Sequence, residues 1–530
     1  MSIYIILIDI IIAVSLFYEL RRDLMMLQQN SYRNDRYMRW IKTSGDTTSF
    51  PRLIALVLVF MALASITTGQ IVLSLMGLFA IWNTYKLSTA KYKKPLVMTR
   101  RAVRIIVTAS LVSALLTATV ALLASAKAPE SVLTYIGLTM TALYCLSHPI
   151  IMLSNFILKP VENMINRRYY NEAAEMLRSM PGLKIVGITG SYGKTSTKHY
   201  LHRILSEHFD TLMTPGSFNT TLGVIRTVRE YLKPYNEVFI VEMGAKQKGD
   251  IKEICDLVHP SVGIVTAVGP QHLESFKTIE NVRDTKFELV DALPSDGLAV
   301  VNDDFRMIAG RKVDNVDCIR YAVNDTANAA YSVKDVTYSA NGTDFVVVSE
   351  GKEDLKLHTT LVGECNISNL MAAVAVARAL GVPDRKIKYA VERIEQVEHR
   401  LNLKRTPGGI VIIDDAFNSN PVGSGMALDV LSGMTGGKRI IITPGMIELG
   451  DRTYELNREF GAKIASSADV AIVVGQYNRD AIVDGLKEGG MEESKYHTVD
   501  SFAAAQQLLT TIVAPGDTVL YENDLPDTFK

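Results

Sequence analysis

Lys184-Ile185-Val186-Gly187-Ile188-Thr189 runs directly into Gly190-Ser191-Tyr192-Gly193-Lys194-Thr195-Ser196. The first six residues are largely apolar and β-branched and read as a strand; the glycine-bracketed loop opens onto a stretch with helical spacing. Strand, tight glycine loop and helix in that order bring backbone N–H groups and a helix N-terminus to one point, a cradle for phosphate oxygens. Lys194 suits the β- and γ-phosphates of a nucleotide, and the Thr195 hydroxyl suits Mg²⁺. The spacing departs from the common G-x-x-x-x-G-K-[ST] pattern, whose first glycine would fall at Ile188.

On either side of this loop, short β-branched runs alternate with helical stretches. Glu237–Met243, Val262–Thr266 and Leu298–Asn302 read as strands, with helices near 195–208, 221–232, 250–258 and 278–292. That alternation predicts a parallel sheet covered on both faces. Residues 330–361 read as antiparallel strands around Asn341-Gly342, followed by a helix at 367–380. A second alternation comprises Gly409–Asp414, Arg439–Thr443, Val470–Gly475 and Thr518–Glu522. The expected fold class is therefore α/β: a P-loop parallel-sheet central domain at 182–389 and a Rossmann-like C-terminal domain at 390–530.

Everything before residue 159 has a different character. Residues 1–158 carry 15 Lys/Arg against 6 Asp/Glu, and residues 159–530 carry 41 against 50, so a net charge of zero conceals a basic apolar part joined to a mildly acidic one. The balance excludes a generally basic nucleic-acid binder, and 48% hydrophobic residues exclude disorder. Apolar runs at Ile3–Leu20, Leu53–Trp82, Ile105–Ala126 and Val132–Ile157 match a bilayer core about 30 Å thick. Thr67-Thr68-Gly69-Gln70 reads as a turn that splits the second run into two spans, giving about five helices in a transmembrane segment at 1–158; the alternative is four, with one tilted helix at 53–82. A linker helix follows at 159–181, broken by Pro181-Gly182. Seven basic residues lie between Arg21 and Arg52 and seven between Lys86 and Arg104, so both loops are expected in the cytoplasm. Five spans then place the catalytic part there too, as a multi-pass protein of the cytoplasmic membrane. Asp9 and His148 are nearly the only charges within the runs, which favours anchoring over transport. The four cysteines have no C-x-x-C spacing and suit a reducing compartment.

Ile188-Thr-Gly-Ser-Tyr-Gly-Lys-Thr-Ser resembles the phosphate loop of the Mur ligase family, the ATP-dependent amide-forming enzymes of peptidoglycan assembly. Further stretches follow in the family's order: Asn219-Thr-Thr-Leu-Gly-Val, Val241-Glu-Met-Gly-Ala, Gly269-Pro-Gln-His-Leu-Glu, the Lys286 segment, Val301-Asn-Asp-Asp and Gly363-Glu-Cys-Asn-Ile-Ser-Asn. After them come His399-Arg400-Leu, Ile413-Asp-Asp-Ala-Phe-Asn-Ser-Asn-Pro and Gly445-Met-Ile-Glu-Leu-Gly. The last two look most like the member that adds D-alanyl-D-alanine to a UDP-linked tripeptide. The resemblance covers about residues 180–530. It implies ATP held by Gly190, Ser191, Gly193, Lys194, Thr195 and Ser196, with Asn302 on the adenine side and Arg400 and Asp415 reaching in from the C-terminal domain. It implies Mg²⁺ on Thr195 and Glu242, a second Mg²⁺ on His272, and a carbamylated Lys286 that helps bind metal. Lys194, Glu242, His272 and Lys286 are thus the expected catalytic residues.

Two departures bear on the substrate. Nothing in residues 1–180 resembles the family's UDP-sugar-binding domain, and the family's His in the His-Asn-x-x-Asn stretch is Cys365. Where the D-alanyl-D-alanine-adding members carry Lys-Gly-Ser, this chain reads Tyr521-Glu-Asn-Asp-Leu-Pro-Asp; Glu522 and Asp524 suit a cationic amine, or form a solvated turn. The expected activity is a membrane-anchored ATP-dependent amide ligase acting through an acyl phosphate. Its partners would be a peptidoglycan precursor presented on lipid, an amino-acid or dipeptide donor, and the membrane. The rivals are D-alanyl-D-alanine addition to the soluble UDP-linked tripeptide and a non-catalytic nucleotide-binding scaffold.

Overall fold

The computed structural model describes residues 2–62, 66–92, 94–324, 329–339, 342–416 and 419–524. They fall into two compact units that divide at Arg167/Arg168.

The first unit is helical: α1 Ser2–Gln29, α2 Asn34–Ser44, α3 Phe50–Ala62, α4 Ile66–Thr89, α5 Arg100–Lys127, α6 Val132–Cys145 and the start of α7 Ser147–Arg178. Ile3–Gln29, Ile71–Thr89 and Arg100–Lys127 are long and apolar enough to cross a membrane, and Phe50–Met61 is a shorter apolar helix. Three expectations change. Thr67–Gln70 lies inside α4 instead of forming a turn, because in apolar surroundings a helix satisfies its own backbone groups and one Gly does not outweigh that; residues 63–65 are outside the described residues. Val132–Ile157 is not one straight helix, since α6 and α7 meet at a 77° bend. Pro149, three residues into α7, has no N–H to give the Cys145 carbonyl, so the hydrogen-bond ladder of α6 cannot continue. Finally, α7 runs through the expected boundary at 158 without a break and contains Pro160.

Polar residues at the helix ends form a buried cluster that hydropathy alone does not reveal. Glu19 and Asp23 on α1, Asp46, Arg52 on α3 and His148 on α7 are all under one-tenth exposed. Arg52 Nη2 lies 2.8 Å from Glu19 Oε1 and 3.3 Å from Asp23 Oδ1. Arg22 Nη1 donates to Asp46 Oδ2 at 2.9 Å, and His148 Nε2 meets the same oxygen at 2.8 Å. Three carboxylates thus share two guanidiniums and an imidazole. Removing one member of such a buried set leaves charge uncompensated, at a cost of about 3–5 kcal/mol. Arg52→Ala should therefore lower the stability of the detergent-solubilised protein by that order, measured by denaturant titration; a change below about 1 kcal/mol would show that the cluster holds little together.

The second unit contains two sheets. The nine strands of the first are β1 Lys184–Thr189, β2 Thr211–Met213, β3 Val238–Glu242, β4 Val262–Val265, β5 Leu298–Asn302, β6 Asp317–Ala322, β7 Tyr331–Ser339, β8 Gly342–Ser349 and β9 Leu355–Thr359. Their order is β2-β3-β1-β4-β5-β6-β7-β8-β9, parallel as far as β7 and antiparallel from β7 to β9. The second sheet comprises β10 Asn402–Arg405, β11 Val411–Asp415, β12 Arg439–Thr443, β13 Val470–Val474, β14 Tyr496–Val499 and β15 Thr518–Glu522, in the order β10-β11-β15-β12-β13-β14. Only β10 is antiparallel there, and β15, last in the chain, sits between β11 and β12. The central strands are fully buried because helices cover both faces, which is why they read as continuous apolar runs. The helix α8 Lys194–Leu205 and the helix Glu364–Ala379 pack against each other on one face, with Ala372, Ala373, Ala375 and Ala377 permitting close approach. Short and half-exposed strands (β2, β6, β10, β14) are additions to the expected set.

Candidate functional site

Ligands of open parallel sheets bind beyond the C-terminal strand ends, and the expected residues gather there. The loop between β1 and α8 turns through Gly190 and Gly193, with φ of 152° and 81°. A Cβ on Gly193 would lie 2.4 Å from Asn369 Oδ1, and one on Gly190 would lie 2.1 Å from Thr266 Oγ1. Only glycine fits either position. Ser191 Oγ donates to the Gly269 carbonyl and accepts from its N–H, both at 3.1 Å, which ties the phosphate loop to the loop carrying His272. Ser196 is buried in the first turn of α8.

Lys194 Nζ donates to Gly190 O at 2.6 Å and to Ser191 O at 3.3 Å, folded over its own loop. Burial pushes its ammonium down to about 8; Glu242 opposes that, and Arg400 adds to it. Glu242 closes β3 and is the hub of the site. Its Oε1 accepts from Thr195 Oγ1 at 3.2 Å and from Asn219 Nδ2 at 3.1 Å, while its Oε2 pairs with Lys198 Nζ at 3.0 Å. Burial works against its ionisation, but Lys198 and Lys194 hold it below the ordinary carboxylate range. Lys198 was not singled out from the sequence, although it lies one helical turn beyond Lys194 on the same face.

Lys286, on the helix Ile279–Asp291, is 1% exposed. Burial and the nearby charge of Lys194 hold its amine well below the ordinary lysine value, and the neutral amine is the form that adds CO₂. His272 follows β4 with φ of 51°, and its Nδ1 is hydrogen-bonded to Glu448 Oε2 from the second sheet. Burial lowers its imidazole although Glu448 pulls the other way. Asn302 closes β5; its amide donates to Thr266 O at 3.0 Å and Ser368 Oγ at 2.9 Å, so it stitches strand ends together.

From the second sheet, Arg400 and Asp415 approach the same point. Burial lowers the Arg400 value while Asp415 and then Glu242 raise it. Asp415 and Glu522 are register partners at the ends of β11 and β15. Glu522 is fully buried, which removes the solvated-turn alternative for it, while Asp524 is exposed. Ser419 Oγ donates to Glu522 Oε1 at 2.5 Å, and Oε2 has no hydrogen-bond partner among the described residues. Burial raises both carboxyls, Asp415 to about 6, with Arg400 opposing at Asp415 and the Asp415 charge adding to the rise at Glu522. A carboxyl raised in the folded state binds protons there that it would not hold unfolded. Its stability contribution is therefore present at low pH and lost as pH rises through the window from 3.8 to about 6. Asp415→Asn should flatten that part of the pH–Tm curve measured between pH 4 and 7; an unchanged slope would place the titration elsewhere. Cys365, in the position of the family histidine, has its thiol pushed up to about 12 by burial and the Asp415 charge, so it is neutral near pH 7.

The donor set fits hard divalent ions. Thr195 Oγ1 and Glu242 Oε1 are 3.2 Å apart, close to the roughly 2.9 Å edge of a Mg²⁺ octahedron with oxygens at about 2.05 Å.

Comparisons with known proteins agree with this architecture. Residues 188–377 match the Mur ligase middle domain and residues 399–521 the Mur ligase glutamate ligase domain. The UDP-N-acetylmuramoyl-tripeptide–D-alanyl-D-alanine ligase of Bacillus subtilis is 27% identical over 346 residues, 64% of this chain and 73% of that protein. The ligase of the same name from Mycobacterium bovis is 30% identical over 365 residues, 64% of this chain and 70% of that one. Among solved structures, the MurF ligase of Thermotoga maritima in complex with ADP superposes with a TM-score of 0.60 at 25% identity, covering 68% of this chain and 80% of that one. A MurF structure from Acinetobacter baumannii gives 0.61 at 25% identity, over 68% and 77%.

Proposed function

Because this chain belongs to the Mur ligase family, we propose that it is a membrane-anchored member that joins an amine to a carboxylate of a lipid-linked peptidoglycan precursor at the cytoplasmic face of the membrane. It is an ATP-dependent, ADP-forming ligase of the Mur type. The observation that carries the reading is a phosphate loop, Glu242, His272, Arg400 and Asp415 at the strand ends, with Lys286 on the helix Ile279–Asp291 beside them, in a chain that bears three span-length apolar helices among its described residues.

The chemistry follows from the charges. A carboxylate is a poor acyl donor, so its oxygen takes the γ-phosphoryl group of ATP and releases ADP; an amine then attacks the acyl carbon, phosphate leaves, and the nitrogen loses its proton. In this reading Lys194 leaves its loop carbonyls for the β- and γ-phosphate oxygens, and Gly190, Ser191, Gly193, Thr195 and Ser196 orient the triphosphate. Arg400 offsets charge that develops on the transferred phosphoryl group. Thr195 and Glu242 would hold one Mg²⁺, and His272 with Lys286, the latter as its carbamate, would hold the second. When bound, the ions supply neutralisation of the phosphate charge. Asn302 serves the adenine side once its amide turns from Ser368.

A second reading has its own support. The relatives named above are D-alanyl-D-alanine ligases of a UDP-linked tripeptide, and the same donor and soluble acceptor would fit this scaffold. Against that donor stands the end of β15, where Tyr521-Glu522-Asn523 replaces the Lys-Gly-Ser of the D-alanyl-D-alanine-adding members.

Product mass spectrometry on the detergent-purified full chain distinguishes the readings. The protein, with MgATP and bicarbonate, is offered lipid-linked and UDP-linked muropeptides with amino acids and D-alanyl-D-alanine. Growth of the lipid-linked acceptor by one amino acid or dipeptide less water supports the proposal. Growth of the UDP-linked acceptor alone transfers it to the second reading, and no ADP under any condition overturns both.

A further inference from the structure

His272 and Glu448 face each other from different sheets, and both have left-handed backbone although neither is glycine: φ is 51° at His272 and 62° at Glu448. Such conformations are strained for residues of this kind and persist where the surroundings over-determine them, most often at functional sites. Here the surroundings do so on both sides. The His272 loop is pinned to the phosphate loop through Ser191 and Gly269. The Glu448 loop, after β12, is fixed by three asparagine amides. Asn457 Nδ2 donates to Met446 O at 3.0 Å and its Oδ1 accepts from Met446 N at 2.8 Å; Asn478 Nδ2 donates to Met446 O at 3.1 Å; Asn523 Nδ2 donates to Gly445 O at 2.6 Å. Met446 and Leu449 are buried beneath it. Glu448 is thereby delivered to His272 Nδ1, with Lys246 Nζ 4.0 Å from its other oxygen.

We infer that Glu448 is the positioning residue for His272: by accepting the Nδ1 proton it fixes the tautomer in which Nε2 is the nitrogen free to bind a divalent ion. This rests on the proposed role of His272 as a ligand to the second Mg²⁺. Metal-bound histidines characteristically give their other nitrogen to a carboxylate, which sets ring orientation and raises ligand basicity. What this fold adds is the origin of that carboxylate. It comes from the second sheet, while His272 belongs to the first, so the imidazole is oriented only when the two sheets are apposed. The sequence displays Glu448 inside Gly445-Met-Ile-Glu-Leu-Gly, but not the left-handed turn that aims it.

The test uses the full chain in detergent with ADP and Mn²⁺, following bound Mn²⁺ by electron paramagnetic resonance and folding by thermal midpoint. Glu448→Gly removes the carboxylate and relieves the backbone, so the midpoint should hold or rise while affinity for the second Mn²⁺ falls about 10–100-fold. His272→Ala should weaken the same Mn²⁺ at least as much, and the double variant should fall no further than His272→Ala alone. Glu448→Gln, which can still accept from Nδ1 but lacks charge, should recover part of the loss. Unchanged Mn²⁺ affinity in Glu448→Gly, with His272→Ala impaired, overturns the inference and leaves the ligand role of His272 standing. Unchanged affinity in His272→Ala overturns that role and the inference with it.

Discussion

Lys194→Ala should lower ADP formation about 10³-fold while leaving the fold intact. Both halves of that expectation follow from geometry. Among the described residues the ammonium bonds only to the carbonyls of Gly190 and Ser191, four and three residues earlier in its own loop, so truncation breaks no side-chain link between these elements. Its worth lies in charge placed where the γ-phosphoryl group would sit, in surroundings dry enough to push its pKa to about 8. At pH 7 most of the population is still protonated, and a bound triphosphate favours the charged form further. Coupled-enzyme detection of ADP checks the turnover and a thermal scan checks the fold. Turnover within tenfold of the parent would remove the phosphate loop from the chemistry, while a collapsed fold would show that the lysine braces the loop.

Lys198→Met should be the most destabilising single change in the site, by about 3–5 kcal/mol. Lys198 is 0% exposed and Glu242 1%, and they pair at 3.0 Å. Methionine fills much of the same volume, so the loss is electrostatic: a buried carboxylate loses its nearest compensating charge. Burial of the lysine costs stability, and the pair offsets that cost only while both partners remain. Two further measurements isolate the cause. Adding Glu242→Gln to Lys198→Met should restore much of the loss, since the uncompensated charge is then gone. Mg²⁺ with ADP should raise the thermal midpoint of Lys198→Met more than that of the parent, because a cation on Glu242 stands in for the missing ammonium. Denaturant titrations that place Lys198→Met itself within about 1 kcal/mol of the parent would mean that Glu242 is neutral or solvated in the folded chain.

The parts of this architecture legible in the sequence are those encoded by local periodicity and contiguous motifs. β1, β5, β12 and β15 have the expected bounds because each is a β-branched run flanked by turn residues. Glu242 and Asp415 could be placed at strand ends because each closes such a run. What was hidden depends on tertiary placement. Lys198 reads as one more polar residue on a helix until its neighbours bury it. Glu522 reads equally as a carboxylate for a cationic amine or as part of a solvated turn until β15 is inserted between β11 and β12. The buried ion cluster of the helical unit draws on residues as far apart as Glu19 and His148, and hydropathy averaging assigns most of them to basic loops. The bend between α6 and α7 is encoded at Pro149, whose missing N–H interrupts the ladder inside a run that hydropathy alone reads as continuous.

The position of β15 also governs how the molecule is made. The second sheet has the order β10-β11-β15-β12-β13-β14, so its interior slot is filled by the strand that follows the other five of that sheet in the chain. Until then β11 and β12 have no partner on their facing edges, and the parallel sheet cannot close. The helical unit, by contrast, precedes both sheets in the chain and is held by helix-on-helix packing, including α1 against α4 and α6. Vectorial synthesis therefore yields helices able to enter a bilayer well before the ligase half can complete its fold. The nascent chain passes through a stage with exposed strand edges, the kind of surface open to edge-to-edge pairing.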